Sequence, residues 1–150
     1  MELSPAVKNI LYALAIMVGS VVLLNLTFVV YWLIHLFYNL FSPAVPGESL
    51  FALRPITLVV ILIILTWLVF RSKIATLFKA IYATVPVAVV LVFIGIGFSE
   101  QLSLVYILST LFSLSVLLYL IATKKSWLYF FSVIFVSLAL LIMSLTGVEI

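Results

Sequence analysis

Residues 10–41 contain no Asp, Glu, Lys or Arg, and neither do 56–70, 80–98, 102–122 and 127–145. A helix crosses a hydrocarbon layer of about 30 Å with about 20 mostly apolar residues, each rising about 1.5 Å. These five stretches therefore read as transmembrane spans. With 7% charged residues in 150, the chain falls far short of the about 25% of a soluble domain, so a large water-exposed fold is no substitute reading. In lipid every backbone N–H and C=O must pair internally, which leaves helices or a closed barrel. Barrel strands alternate apolar and polar positions. Residues 58–65 are instead apolar at nearly every position. The expected fold is all-α: a polytopic integral membrane protein, one domain over 1–150, with five transmembrane helices.

Turn and cap residues divide the spans. Ser4-Pro5 suits an N-cap followed by the first helical position. The first stretch, at about 32 residues and about 48 Å, exceeds a bilayer's needs. It should tilt, bend near Gly19-Ser20, or project at one end. It is also longer than a signal-peptide core of about 7–15 residues, so an anchoring helix is expected there. Pro43, Pro46 and Gly47 make 43–48 a loop, 49–53 an interfacial turn, and Pro55 the opening of the second helix. Residues 74–79 read as a short interfacial continuation, and Pro86 should kink the third helix by leaving the Tyr82 carbonyl without its N–H partner.

Basic residues set the expected orientation. Arg71, Lys73 and Lys79 occupy one connection and Lys124 and Lys125 another, and a five-span chain puts both on one side. Cytoplasmic loops are rich in Lys and Arg, which places the N-terminus inside, the C-terminus outside, and the chain in a plasma membrane or, in a bacterium, the inner membrane. Lys8 agrees. The same five side chains are candidates for anionic lipid headgroups, although topology alone explains them. The net charge of +3 is thus a matter of topology, not of nucleic-acid binding. Spans 2–3 and 4–5 form like-oriented hairpins; the positive-inside rule produces that arrangement without duplication.

Chemistry-bearing residues are few. All four acids, Glu2, Glu48, Glu100 and Glu149, lie at ends or loops, and cysteine is absent. That argues against a proton pump, a carboxylate cation site, an aspartyl protease and thiol chemistry. One His with no nearby acid is too little for zinc, so no metal or cofactor is expected. Ser109, Thr110, Ser113 and Ser115 find no His-acid pair, and are expected to bond their own i−4 carbonyls and permit close helix approach. Asn25-Leu26-Thr27 matches a glycosylation pattern but sits mid-span, out of reach. No enzyme is expected.

The strongest positive signal is on the first helix. Asn25, Phe28, Trp32, His35 and Asn39 fall within about 80° on a helical wheel of 100° per residue. Asn25, Trp32 and Asn39 are spaced by heptads. Amides facing lipid are costly, so Asn25, Trp32, His35 and Asn39 form the candidate binding face, turned toward protein or a watery path. Two readings stand. The face packs against another helix, making the chain a membrane-embedded subunit or assembly partner, homo- or hetero-oligomeric. Alternatively it lines a small transporter or channel for a neutral or amphipathic solute, lipid included. Small residues mark two further packing seams: Ala80, Thr84, Ala88 and Gly95, and Ser126, Ser137 and Ser144.

Overall fold

Ser4 starts the first helix as its cap: its Oγ accepts from the Val7 N–H at 3.4 Å and its carbonyl from the Lys8 N–H at 3.0 Å. Pro5 follows at the first helical position, where its missing N–H costs nothing. In the computed structural model, residues 4–41 and 49–145 are described, with the side chains at 38, 39, 41, 49–56, 144 and 145 outside the description. The loop read at 43–48, Glu2 and Glu149 lie outside the described residues.

Five helices make up the described chain: α1 (Pro5–Phe41), α2 (Ser49–Arg71), α3 (Thr76–Gly97), α4 (Leu102–Ala122) and α5 (Trp127–Leu145). Within the described side chains, Pro5–Phe37, Thr76–Gly97 and Leu102–Ala122 are long and apolar enough to cross a membrane, and Thr57–Arg71 and Trp127–Met143 are shorter apolar helices. Large apolar side chains such as Ile10, Ile63 and Leu118 stand 60%, 63% and 64% exposed. So much exposed apolar surface has no place in water, and it gives the chain a membrane location.

Two boundaries differ from the sequence reading. α2 starts at Ser49, before Pro55, so the turn expected at 49–53 is helical. Pro55 falls in its second turn, where the ring deprives the Phe51 carbonyl of a partner, a cost a helix near its start can bear. α3 starts at Thr76 rather than near Lys79, and 72–75 is the only non-helical connection between α2 and α3. Pro86 lies within an uninterrupted α3.

α3 is the hub, touching all four other helices. Eight of its residues are buried, from Ala80 to Leu91, against two in α4, Val105 and Leu120. The reason is its small-residue stripe. Ala80, Thr84 and Ala88 are 0%, 0% and 2% exposed, and small side chains at i, i+4 and i+8 let neighbouring backbones come in close. α1 meets α3 at Gly19, where an added Cβ would lie 2.9 Å from Ile81 Cγ2. Gly19-Ser20 is thus a point of close approach. Further along, Leu23 and Ile34 pack on the Leu58, Leu62 and Val85 cluster, so α1 and α3 run in the same direction with α2 beside them. On the other side, Leu128, Tyr129, Val133 and Val136 of α5 join the main core with Ile16, Val87 and Leu91.

Connections 72–75, 98–101 and 123–126 are four residues each. Links this short join antiparallel neighbours. At the first, the Lys79 ammonium donates to the carbonyls of Phe70 at 3.0 Å and Ser72 at 2.6 Å, satisfying groups that the end of α2 leaves unpaired. At the third, α4 closes with Lys124 N–H on Ile121 O at 3.0 Å and Lys125 N–H on Leu120 O at 3.1 Å. That bond pair is the Schellman motif, and it holds Lys124 at a φ of 49°. The Phe70 and Tyr129 rings stack across the gap between α2 and α5, so both basic connections share one end of the bundle.

Candidate functional site: the outer face of α1 and the cleft between α3, α4 and α5

Helix geometry fixes the depth of the α1 face. Aligning Gly19 with Ile81 puts Asn25 level with about residue 87 of α3, near mid-helix, and His35 level with about residue 97, its end. The buried side of α1 is formed by Ile16 and Ser20, both 0% exposed. Asn25, Phe28 and Trp32 lie on roughly the opposite side and are exposed, with Phe28 at 57% and Trp32 at 59%. His35 is half-buried, and the side chain of Asn39 lies outside the described residues. Within one chain, then, three members of the face look outward, away from the other helices.

Asn25 shows how the chain handles an amide there. Its Nδ2 donates to the Val21 carbonyl at 2.8 Å, one turn back. An Asn side chain has two donor hydrogens and an acceptor oxygen with two lone pairs. One bond leaves most of that capacity unused, at a depth where lipid offers nothing in exchange. At Asn25, Phe28 and Trp32 the face is therefore polar, aromatic and uncovered.

A second feature was not foreseen from the sequence. A cleft of about 530 Å³ lies between the C-terminal halves of α3 and α5 and the N-terminal two-thirds of α4. That volume is within the about 300–1,000 Å³ typical of small-molecule sites. Its wall is mainly Leu, Ile and Val, interrupted by the hydroxyls of Ser99 at its mouth and of Tyr106, Ser109, Thr110, Ser113 and Ser137. Gly95 opens into it, with no atom within 4 Å of where a Cβ would stand. Hence Gly95, expected on the α3 packing seam with Ala80, Thr84 and Ala88, serves instead to widen the cleft.

The α4 hydroxyls depart from expectation in the same place. Only Ser115 bonds its own helix, donating to Leu111 O at 2.8 Å. Ser113 reaches across to Ser137 Oγ at 3.0 Å. Ser109 and Thr110 face the space left between the helices. The α5 seam is also corrected: the fully buried serine is Ser132, bonded to Leu128 O at 2.9 Å, while Ser126 and Ser137 are half-buried. Ser137 sits toward α4, so it serves a different interface from the one that Leu128, Ser132 and Val136 make.

At the basic end, Arg71 lies over the Trp67 ring at 5.0 Å, a cation–π contact that leaves the guanidinium at the surface. Lys73, Lys124 and Lys125 are exposed. Lys79 is occupied by its two carbonyls. Among the described residues no three His, Cys, Asp or Glu side chains come together as metal ligands. The fold and its faces define the class: an all-helical bundle with spans suited to a membrane. No protein-family model, curated protein or solved structure matches the chain.

Proposed function

We propose that this chain is a five-span membrane protein, N-terminus in the cytoplasm and C-terminus outside, that works without catalysis as a subunit or assembly partner. Its site is the α1 face of Asn25, Trp32, His35 and Asn39, and its partner is another transmembrane helix. The observation that carries the reading is Asn25, an exposed mid-depth amide with one hydrogen bond. In lipid, helix association is driven by close packing and interhelical hydrogen bonds, each worth about 0.6 kcal/mol on average. Heptad spacing keeps such a seam in register with a partner helix crossing at a shallow angle. The exposed side chains of Arg71, Lys73, Lys124 and Lys125 face the inner leaflet of a plasma membrane and meet anionic headgroups there.

The chain has no cysteine, so single replacements report cleanly. Phe28→Cys or Trp32→Cys in native membranes should form an oxidative crosslink to a second copy, or a crosslinker adduct to one defined partner. Leu26→Cys, exposed on another side of α1, should not. Asn25→Leu should lower recovery of that partner in mild detergent by about threefold. A monodisperse monomer with no specific adduct from either position would sink the proposal. Flux of a neutral solute through reconstituted vesicles, lost on Asn25→Leu, would instead favour transport along a path formed where α1 faces meet.

A further inference from the structure

The cleft between α3, α4 and α5 is separate from the α1 face, and its chemistry points to a different occupant. Hydroxyls in membrane helices ordinarily turn back to a carbonyl three or four residues earlier. Thr27, Ser72, Thr84, Ser115, Thr123 and Ser132 all do so here. Tyr106, Ser109 and Thr110 line the cleft and, among the described residues, make no hydrogen bond. Ser109 and Thr110 are adjacent and lie one turn beyond Tyr106 on α4, so the cleft carries a short ladder of open donors and acceptors on an otherwise apolar wall.

Depth and charge narrow what could use that ladder. Ser109 and Thr110 are seven and eight residues from the start of α4 at Leu102, about 10–12 Å below it at about 1.5 Å per residue. A phospholipid would have to drag a charged headgroup into hydrocarbon to bring its ester oxygens so low. No charged side chain lines the cleft to receive one. An uncharged head can make the descent. We propose that this cleft binds a neutral, chain-bearing lipid of the diacylglycerol kind. Its hydroxyl and ester oxygens enter past Gly95 to meet Tyr106, Ser109 and Thr110, and its chain runs deeper, along Leu114 and Leu117.

The test uses the full chain in phosphatidylcholine nanodiscs. The probes are trace diacylglycerol or trace phosphatidylcholine bearing the same photoactivatable acyl chain, with adducts mapped by mass spectrometry. Diacylglycerol adducts should concentrate on residues 91–117 and exceed the phosphatidylcholine adducts there by about fivefold or more, the size of one net hydrogen bond. Gly95→Leu, which the open space around Gly95 accommodates, should remove that excess. Ser115→Leu, on the same helix but bonded to its own backbone, should leave it intact. Should Gly95→Leu disturb the fold, Thr110→Val and Ser109→Ala keep the packing, and each should cut the excess about fivefold. Equal labelling by the two probes would mean ordinary surrounding lipid and overturn the proposal. An excess that survives the Thr110→Val and Ser109→Ala changes would overturn it too.

Discussion

Phe70 and Tyr129 stack with ring centroids 6.0 Å apart and planes 26° from parallel. Phe70 is the next-to-last residue of α2 and Tyr129 the third of α5. The two helices otherwise keep apart, each packed on α3. The stack is therefore the clasp that brings the Arg71/Lys73 and Lys124/Lys125 connections to one place. Aromatic pairs of this geometry contribute about 0.5–1.5 kcal/mol beyond burial. A double-mutant cycle of Phe70→Leu and Tyr129→Leu, read by unfolding in mixed detergent, should return a coupling in that range. Strict additivity would mean that the rings merely lie near each other.

Gly19 faces Ile81 so closely that a methyl group at that position must push Ile81 aside: the added Cβ would stand 2.9 Å from Cγ2 and 3.0 Å from Cδ1. Ile81 is itself 8% exposed, with little room to retreat. Overpacking of this sort costs about 1–3 kcal/mol. Alanine gains about 0.5–1 kcal/mol over glycine inside a helix, so Gly19→Ala should destabilise by about 0.5–2 kcal/mol net. Gly19→Ala with Ile81→Ala should lose less than the two single changes summed, because the second deletion makes the space that the first requires. Equal or greater loss in the double variant would show that the helices separate at Gly19 without resistance.

Much of this fold could be read before the structure, and what was missed has a physical pattern. The five helices were legible because charge cannot enter hydrocarbon, but charge does not mark where a helix starts, and α2 and α3 begin before Pro55 and Lys79. The α3 seam was legible at Ala80, Thr84 and Ala88 because small side chains have few uses in a span besides close approach. At Gly95 the same rule failed, since a glycine can equally widen a cleft. The buried side of α5 was hidden because Val133 and Val136, which pack on protein, are the same kind of residue as Ile134 and Ile142, which face outward. In water a hydrophobic periodicity would have separated them; lipid removes that contrast. Ser109 and Thr110 were hidden for a related reason. Sequence cannot say whether a hydroxyl has bonded its own helix, and the usual habit of spans pointed the wrong way.

Ser20 is fully buried beside that close approach, and its Oγ has no hydrogen-bond partner. Thr84 and Ser132, equally buried, each bond a carbonyl of their own helix, at 2.7 and 2.9 Å. An unpaired buried hydroxyl costs about 1–3 kcal/mol, whereas a methyl group in its place costs little. Ser20→Ala should therefore raise the unfolding midpoint, by about 1 kcal/mol in stability once the small loss of contact is counted. A clear loss of stability instead would show that the hydroxyl makes a bond the protein depends on.

Lys124 ends α4 in a left-handed conformation, φ 49°, so that Lys124 and Lys125 can return their N–H groups to Ile121 and Leu120. Glycine is the usual occupant of this position because a Cβ there crowds the following carbonyl, at about 1–2 kcal/mol. Glycine also gains freedom in the unfolded chain, which offsets part of that relief. Lys124→Gly should thus stabilise by about 0.5–1 kcal/mol, measured by heat or denaturing-detergent titration of the purified protein. Since the change also removes a positive charge, Lys124→Ala is the comparison: it loses the same charge and keeps the strain, so it should bring no gain. If alanine stabilised as much as glycine, charge repulsion with Lys125, not backbone conformation, would be the source.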